Sequence, residues 1–166
     1  KAGFLYLRFG QITLDKIKDQ GLEVNEANEK VTREGFRKEY GMAAYAILNI
    51  PKIDELLKSA NVVVDGLYSW SEYKILKEKY RDKMFVVAVY APPKLRYERL
   101  ENRSAENDDK RRFRPFTKEE AKTRDYAEIE NIEKGGPIAM ADFTIINIGT
   151  ADELKKEVGK ILLQIS

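Results

Sequence analysis

Short apolar runs alternate with longer amphipathic stretches along the chain. Four apolar runs predict β-strands at residues 4–9, 62–65, 84–90 and 143–147. The second and third of these runs are unbroken and rich in valine, which is typical of buried parallel strands with both faces covered. The pattern therefore predicts a sheet whose strands are separated by helical segments.

The stretches between the strands carry apolar residues at turn-like spacing and predict helices. These helices cover residues 12–21, 25–40, 42–57, 71–80, 94–103, 117–132 and 152–165. The predicted helix caps are Thr13, Ser69 or Ser71, and Thr117 in a capping box with Glu120. Pro51 is expected to begin a new first turn, and the Gly135-Gly136-Pro137 sequence is expected to end the preceding helix.

The alternation of strands and helices predicts an α/β fold with a mostly parallel sheet and helices on both faces. The 166 residues fit a single domain. Two consecutive helices at residues 25–57 exceed what a simple crossover needs, so we expect a helical flap there. The polar residues 104–134 predict a lid, and the core comprises residues 1–24, 58–103 and 135–166.

Composition narrows the possible chemistry. The chain has no cysteine and no histidine, which removes thiol and imidazole catalysis and leaves oxygen ligands for any metal. Such ligands favour Mg²⁺ bound beside phosphates over Zn²⁺. No apolar run approaches the roughly 20 residues that span a bilayer, so we expect a cytoplasmic protein without a membrane partner.

A carboxylate follows the valine run directly, at Asp65, and Gly66 comes next. Ligands bind in open α/β sheets at the carboxyl ends of the strands, and glycine lets the backbone turn sharply or approach a ligand. Asp65 is therefore the first candidate for a functional carboxylate. The alternative is that the Asp-Gly pair is only a turn at the end of the strand.

Positive charge is concentrated in one segment, because residues 94–124 hold eleven Lys/Arg and seven Asp/Glu, a balance of +4 against +2 for the whole chain. Its arginines are Arg96, Arg99, Arg103, Arg111, Arg112, Arg114 and Arg124. Guanidinium groups on a closing segment would bind phosphate. The alternatives are a solvated helix face paired with Glu98 and Glu101, a soluble loop, or a weak nucleic-acid patch, which the interleaved acids disfavour.

Over most of its length the chain resembles the adenylate-kinase-related and dephospho-CoA-kinase-like branch of the P-loop nucleoside monophosphate kinases. The matching stretches, in order, are GFLYLRFGQ, GLEVNEANEKVTREGFRKEYGMAA, VVVDGLYSWSEY, VVAVYAPPKLRYERLENR, KTRDYAEIE and MADFTIINIGTADELKKEV. The resemblance implies a three-layer αβα fold with strand order 2-3-1-4-5, the cofactors ATP and Mg²⁺, and a nucleotide substrate.

The resemblance also implies roles for matched positions on the acceptor side. Asp65 would contact the magnesium shell through water or orient the acceptor. Gly10 and Gly66 would line the acceptor pocket, together with the positions of Gln11 and Tyr68, and Arg37 would face the acceptor's phosphate.

On the nucleotide side, the resemblance places Arg99 and Arg103 at the start of the lid, with Arg103 near the adenine and Arg111, Arg112 and Arg114 within the lid. Arg124 would reach the transferring phosphate, held by Asp125. Residues Asn147 to Gly149 resemble the loop that borders the base.

The chain departs from the family pattern at three acceptor positions. Gln11 stands where an acidic residue is usual, Leu14 where a basic residue is usual, and Tyr68 where an arginine is usual. Each change removes a polar contact to the acceptor.

A larger departure is that no G-x-x-x-x-G-K-[ST] sequence occurs in these residues. We expect the natural protein to carry roughly 20 to 25 further residues before Lys1 that supply this loop and the first, central strand.

Three functions remain open from the sequence. The first is a kinase that moves the γ-phosphate of ATP to a nucleoside monophosphate or a related acceptor. The second is a non-catalytic nucleotide-binding or regulatory module of the same fold, which the three acceptor-side changes favour. The third is a weak nucleic-acid-binding domain, which depends only on residues 110–114.

Overall fold

The computed structural model describes residues 3–102 and 116–165 and has an α/β architecture with parallel strands, as predicted. In chain order the elements are β1 (Leu5–Arg8), α1 (Gln11–Asp19), α2 (Glu26–Tyr40), α3 (Ala44–Leu57), β2 (Val62–Asp65), α4 (Trp70–Tyr80), a 3-10 turn (Arg81–Lys83), β3 (Val87–Tyr90), α5 (Pro93–Glu101), α6 (Lys118–Ile132), α7 (Gly135–Ala139), β4 (Phe143–Ile146) and α8 (Ala151–Ile165). None of the helices in the described ranges has the length and apolarity needed to cross a membrane.

The chain forms two compact units, Lys1–Arg81 and Asp82–Ser166. In the first unit β1 and β2 pair in parallel, with Leu5 opposite Val62 and Arg8 opposite Asp65. Helix α1 packs on α2, α2 packs on α3, and α3 packs on both α4 and β2. The core of this unit contains Leu7, Phe9, Leu14, Ile17, Ala44, Tyr45, Ala46, Ile53, Tyr73 and Leu76.

In the second unit β3 and β4 pair in parallel, with Val87 opposite Phe143 and Tyr90 opposite Ile146. Helix α8 packs on β4, and α5 packs on α6. The core of this unit contains Ala88, Ala91, Ala121, Ile132, Ile145 and Ile161. Whether the two units together make one kinase-like domain stays a prediction.

The predicted full burial of the valine-rich strands is wrong for the described residues. Val63 is 46% exposed, and Val87 and Val89 are 39% and 54% exposed. Each described sheet has two strands, so every strand in it is an edge strand with one hydrogen-bonding side unpaired in that sheet. The third strand also begins at Val87, later than the predicted residue 84.

The expected break at Pro51 does not occur, because α3 runs unbroken through it. Pro51 is exposed, while Ala46 before it and Ile53 after it are buried. A proline inside a helix removes one hydrogen bond, and we attribute the continuity of α3 to the apolar face that it buries on both sides of the proline.

Two local predictions fail at helix ends. Thr13 is not a cap, because α1 already begins at Gln11 with Gly10 as its N-cap, and the Thr13 side chain is buried inside the unit. The glycines at 135 and 136 do not simply end α6. That helix ends at Ile132, its C-cap residue Glu133 adopts a left-handed conformation, and the glycines open the short helix α7.

Of the other predicted caps, Ser69 and Thr117 are confirmed, while Ser71, the alternative to Ser69, lies inside α4. Ser69 begins α4 and Thr117 begins α6, each in a capping box with the glutamate three residues later. Asn25, the first residue of the predicted second helix, caps α2 by accepting a hydrogen bond from the Asn28 backbone N–H.

Candidate functional site

Asp65 ends β2 at the carboxyl edge of the first sheet and is exposed there. The Tyr6 hydroxyl donates a 2.9 Å hydrogen bond to Asp65 Oδ2. Since residues of one strand alternate between the two faces, Tyr6 and Arg8 share a face of β1 with Val63 and Asp65 of β2. The predicted functional carboxylate is therefore accessible and is oriented by a neighbouring strand.

Glycine turns follow both strands at this edge. The Phe9 N–H continues the ladder to Asp65 O at 2.9 Å, and Gly10 then caps α1. Gly66 has φ +101°, a conformation that L side chains rarely adopt, and a Cβ placed on it would lie 3.6 Å from Phe9 Cβ. The structure thus brings Gly10 and Gly66 to the ends of adjacent strands, beside Asp65.

A buried polar network holds these turns to the helical flap. Thr13 Oγ1 and Tyr45 Oη lie 2.6 Å apart, which joins the first turn of α1 to α3. Asn49 Nδ2 donates to Tyr45 O at 2.8 Å and to Phe9 O at 3.4 Å. Burial raises the pKa of the Tyr45 hydroxyl, which therefore stays protonated as a hydrogen-bonding group.

Glu72 is the buried acid of the first unit, at 2% exposure. Its Oε2 accepts hydrogen bonds from the backbone N–H of Ser69 at 3.0 Å and of Tyr68 at 3.2 Å, and Ser69 Oγ donates to Met42 O at 2.9 Å. Burial raises the pKa of the Glu72 carboxyl, and the hydrogen bonds from backbone N–H groups partly oppose this shift. These bonds fix the loop that follows Gly66.

Two arginines of the first unit carry buried nitrogens without a hydrogen-bond partner among the described residues. These are Nη1 of Arg8 and Nε of Arg37. The Arg37 guanidinium lies over the Tyr45 ring, with Cζ 5.8 Å from the ring centroid. Arg37 was predicted to face the acceptor's phosphate, whereas sequence reasoning did not identify Arg8.

The three departures from the family pattern have structural counterparts. The Gln11 side chain donates to Asp15 on its own helix at 2.8 Å. Leu14 is a core residue at 6% exposure. The Tyr68 side chain is 39% exposed, and its backbone N–H bonds to Glu72. Leu14 thus belongs to the apolar core rather than to a polar pocket.

In the second unit the structure brings together three predicted nucleotide-side residues. Arg99 Nη1 donates to Asn147 O at 2.8 Å, and Arg99 Nη2 donates to Gly149 O at 3.0 Å. The Asn147 N–H bonds to Tyr90 O at 2.7 Å, which anchors the same loop to β3. Arg99 therefore holds the backbone of the loop between β4 and α8.

The expectation that Asp125 holds Arg124 is wrong. Arg124 Nε donates to Glu128 at 2.9 Å, and its guanidinium lies over the Phe116 ring. Asp125 instead binds Arg96 and the Tyr97 hydroxyl of α5. Arg96 precedes Asp125 by 29 residues, and the local sequence gave no sign of this pairing between α5 and α6.

Four predicted lid residues lie outside the described residues. These are Arg103, Arg111, Arg112 and Arg114. The basic run at 110–114, on which the nucleic-acid alternative depends, lies there as well.

The carboxylates of the described ranges do not form a metal-binding group of three or more acidic residues. Asp65 is a single carboxylate with one oxygen engaged by Tyr6. This donor set fits a Mg²⁺ ion held mainly by phosphates and contacted through water, and does not fit a site built from protein ligands alone.

Glu72 and Tyr45 are organising residues that the sequence interpretation missed. Glu72 was detectable in principle, since it stands three residues after Ser69 and completes a capping box. Arg8 also had a sequence signal, since it ends an apolar strand as Asp65 does. That signal was weaker than the capping box of Glu72.

The structure is that of an α/β protein with parallel strands, and its candidate site residues Asp65, Gly10 and Gly66 lie at the carboxyl ends of two of them. Comparison with known proteins gives the family. A UPF0200 protein of Thermococcus kodakarensis is 34% identical over 167 residues, covering 99% of this chain and 86% of the relative. A UPF0200 protein of Thermococcus gammatolerans is 35% identical, covering 99% and 84%.

A UPF0200/UPF0201 protein of Archaeoglobus fulgidus is 34% identical over 168 residues, covering 100% of this chain and 50% of that longer protein. The chain therefore belongs to the UPF0200 family. No family model matches it.

Proposed function

We propose that this protein transfers the γ-phosphate of ATP to a nucleoside monophosphate or a related small acceptor, and that its fold is the three-layer P-loop kinase fold. The strand pairing supports the proposal. In the order 2-3-1-4-5, strands 2 and 3 are parallel neighbours, and so are strands 4 and 5. The observed pairs β1–β2 and β3–β4 match these neighbours when a first strand precedes them.

The observation that carries the proposal is the position of Asp65. It is an exposed carboxylate at the carboxyl end of a parallel strand, flanked by two glycine turns and oriented by Tyr6. Its second oxygen, Oδ1, has no hydrogen bond within the described part of the chain. That oxygen would orient an acceptor group or a water of the magnesium shell.

The acceptor side would be built from the first unit. Gly10 and Gly66 allow close approach of the acceptor to the backbone, and Arg37 would bind its anionic group. The Thr13–Tyr45 hydrogen bond and the hydrogen bond from Ser69 Oγ to Met42 O would keep the flap helices in place without touching the acceptor. Catalysis at such a site depends on positioning and charge rather than on covalent chemistry.

Within the second unit, the Asn147–Gly149 loop is the candidate contact for a base. Arg99 shapes the Asn147–Gly149 loop through two carbonyl groups, and both of its Nη atoms are used in doing so. Its role would therefore be to position the loop, and the base would contact the loop itself.

ATP with Mg²⁺ would supply the phosphoryl group and the positive charge beside it. The 166 residues contain no glycine-rich lysine loop of the kind that holds a triphosphate. The described residues would contribute to binding the acceptor, the base and the outer shell of the metal.

The second candidate is a non-catalytic nucleotide-binding or regulatory module. The Gln11 side chain is bound to Asp15 on its own helix, and Leu14 is an apolar residue of the core. Both observations favour this candidate, because the resemblance expects these two positions to supply an acidic and a basic side chain to the acceptor pocket. Such a module would bind nucleotide without turnover.

The test is transfer of labelled γ-phosphate from ATP by the full-length protein across a panel of nucleoside monophosphates, nucleosides and dephospho-cofactors. A labelled product that requires Mg²⁺ supports the kinase. Nucleotide binding with no labelled product for any acceptor supports the non-catalytic module and overturns the kinase.

A further inference from the structure

We propose that Arg8 is an anion-binding residue, and that with Arg37 it forms a seat for a phosphate monoester at the β1–α1 turn. This inference rests on the proposed function for its setting. It narrows the acceptor class from any small nucleotide-like molecule to one that already carries a phosphate monoester.

Arg8 is placed to meet a ligand. It is the last residue of β1 and lies opposite Asp65 in the parallel register. A Cβ placed on Gly10 would lie 4.0 Å from Arg8 Nε, so the side chain follows the turn into α1. The guanidinium thus borders the same strand ends as the exposed carboxylate.

Arg8 has a buried nitrogen, Nη1, without a hydrogen-bond partner in the described ranges. A buried donor that bonds to nothing is destabilising, and more so when the group is charged. Tyr6 occupies Asp65 Oδ2, and no ion pair joins Arg8 to an acid in the described residues. An anion at this edge would satisfy the unpaired donor.

Arg37 shows the same feature from the flap. Its Nε is buried and unpartnered, and its guanidinium lies over the Tyr45 ring. The Tyr45 hydroxyl bonds to Thr13 in α1, whose N–H in turn bonds to Gly10 O at 3.2 Å. A short chain of contacts therefore connects Arg37 to the turn that Arg8 borders.

Other arginines of the described chain differ from this pair. Arg33 is neutralised by Glu26 and Glu29, and Arg99 is taken up by backbone carbonyls. Glu72 acts electrostatically on Arg37, but its Oε2 accepts backbone N–H groups and it forms no ion pair with Arg37. Neither Arg8 nor Arg37 thus forms an ion pair with an acid in the described part of the first unit.

A phosphate monoester suits this pair better than a carboxylate does. Its dianion at neutral pH matches two positive charges, and its three oxygens accept from two planar guanidinium groups at once. Leu14 is buried in the core where the resemblance expects a basic residue. Arg8, in strand β1, would supply the positive charge that Leu14, in helix α1, does not.

The test is titration of the ¹⁵N-labelled full-length protein with inorganic phosphate at pH 7.5, at constant ionic strength, following the arginine Nε–Hε resonances by NMR. We expect saturable shifts of the Arg8 and Arg37 resonances with one common Kd. Arg8→Gln should weaken binding by about 10- to 100-fold. Lys18→Gln, which removes an exposed charge from α1, should change Kd by less than about twofold.

The inference is overturned if neither resonance shifts saturably, or if folded Arg8→Gln binds phosphate as the wild type does. Should Arg8→Gln fail to fold, the wild-type Arg8 resonance decides: a saturable shift supports the seat and no shift overturns it. Phosphate binding without phosphoryl transfer overturns the kinase alone. Transfer without Arg8-dependent phosphate binding overturns this inference alone.

Discussion

Tyr6 and Asp65 lie on neighbouring strands, 59 residues apart in sequence, and the Tyr6 hydroxyl donates to Asp65 Oδ2 at 2.9 Å. Tyr6 is 57% exposed, so this bond is made at the surface of the sheet edge rather than in the core. It fixes one oxygen of the carboxylate on which the proposed chemistry depends. Tyr6 is therefore a positioning residue for Asp65.

Tyr6→Phe should lower kcat for phosphoryl transfer by about 2- to 10-fold, since it removes one exposed hydrogen bond to the Asp65 carboxylate. Stability should change by less than about 0.5 kcal/mol because the hydroxyl is exposed. Steady-state kinetics and urea unfolding measure the two effects. Tyr126→Phe is the matched control, since Tyr126 is also 57% exposed, and a loss of kcat there would contradict this role for Tyr6.

Glu72 should give the first unit a pH dependence of stability. Burial raises the pKa of its carboxyl above the ordinary value of 4.5. Between 4.5 and the raised value the folded state binds more protons than the unfolded state, so the free energy of unfolding falls as pH rises through that window. This contribution is complete below the window and is lost above it.

Glu72→Gln is neutral at every pH and should remove this slope. Unfolding by urea between about pH 4 and about pH 7, followed by the fluorescence of Trp70, reports on α4 directly, because Trp70 is the single tryptophan of the chain. The free energy of unfolding of the wild type, taken relative to that of the variant, should fall with rising pH. Glu78→Gln, an exposed change on the same helix, should keep the wild-type slope, and equal slopes for all three proteins would rule out this role for Glu72.

Arg99→Met should loosen the Asn147–Gly149 loop, because it removes both hydrogen bonds to the loop carbonyls. We expect a loss of about 1–3 kcal/mol in local stability. Hydrogen exchange at the Thr150 and Glu153 amides should accelerate accordingly. Lys94→Met, an exposed change on the same helix, should leave these rates unchanged, and protection retained in Arg99→Met would show that the loop does not need the arginine.

Gly149 and Gly159 should respond oppositely to alanine. A Cβ on Gly149 would collide with the Glu153 carboxylate, which caps α8 by accepting the Thr150 N–H at 2.7 Å. Gly149→Ala should therefore cost about 1 kcal/mol through the lost cap. Gly159 lies within α8, and a Cβ placed on it would meet no atom within 4 Å. Gly159→Ala should therefore raise the free energy of unfolding by about 0.5–1 kcal/mol. Thermal unfolding measures both, and a shift of the same sign for the two variants would contradict this account.

The caps and the strand-end carboxylate were predictable because they depend on neighbours within a few residues. The Thr117–Glu120 box and the Ser69 cap follow from local spacing. Asp65 follows from a change of residue type at the end of an apolar run. These signals need no knowledge of which elements pack together.

The rest depends on contacts between distant residues. Asp125 has Arg124 beside it in sequence but binds Arg96, because α5 and α6 pack together. Thr13 looks like a cap but is directed to Tyr45, 32 residues away. Burial of the strands depended on how many strands each sheet contains, which apolar runs do not reveal.

The most direct measurement of the central claim is kcat for transfer of the ATP γ-phosphate by the full-length Asp65→Asn protein, beside Asp82→Asn as a control at an exposed acid. Loss of the carboxylate charge in Asp65→Asn should reduce kcat by at least about 100-fold. The Asp82→Asn protein should keep the wild-type kcat, and both variants should keep the Arg8-dependent binding of phosphate. An Asp65→Asn protein that transfers phosphate as fast as the wild type would contradict the account.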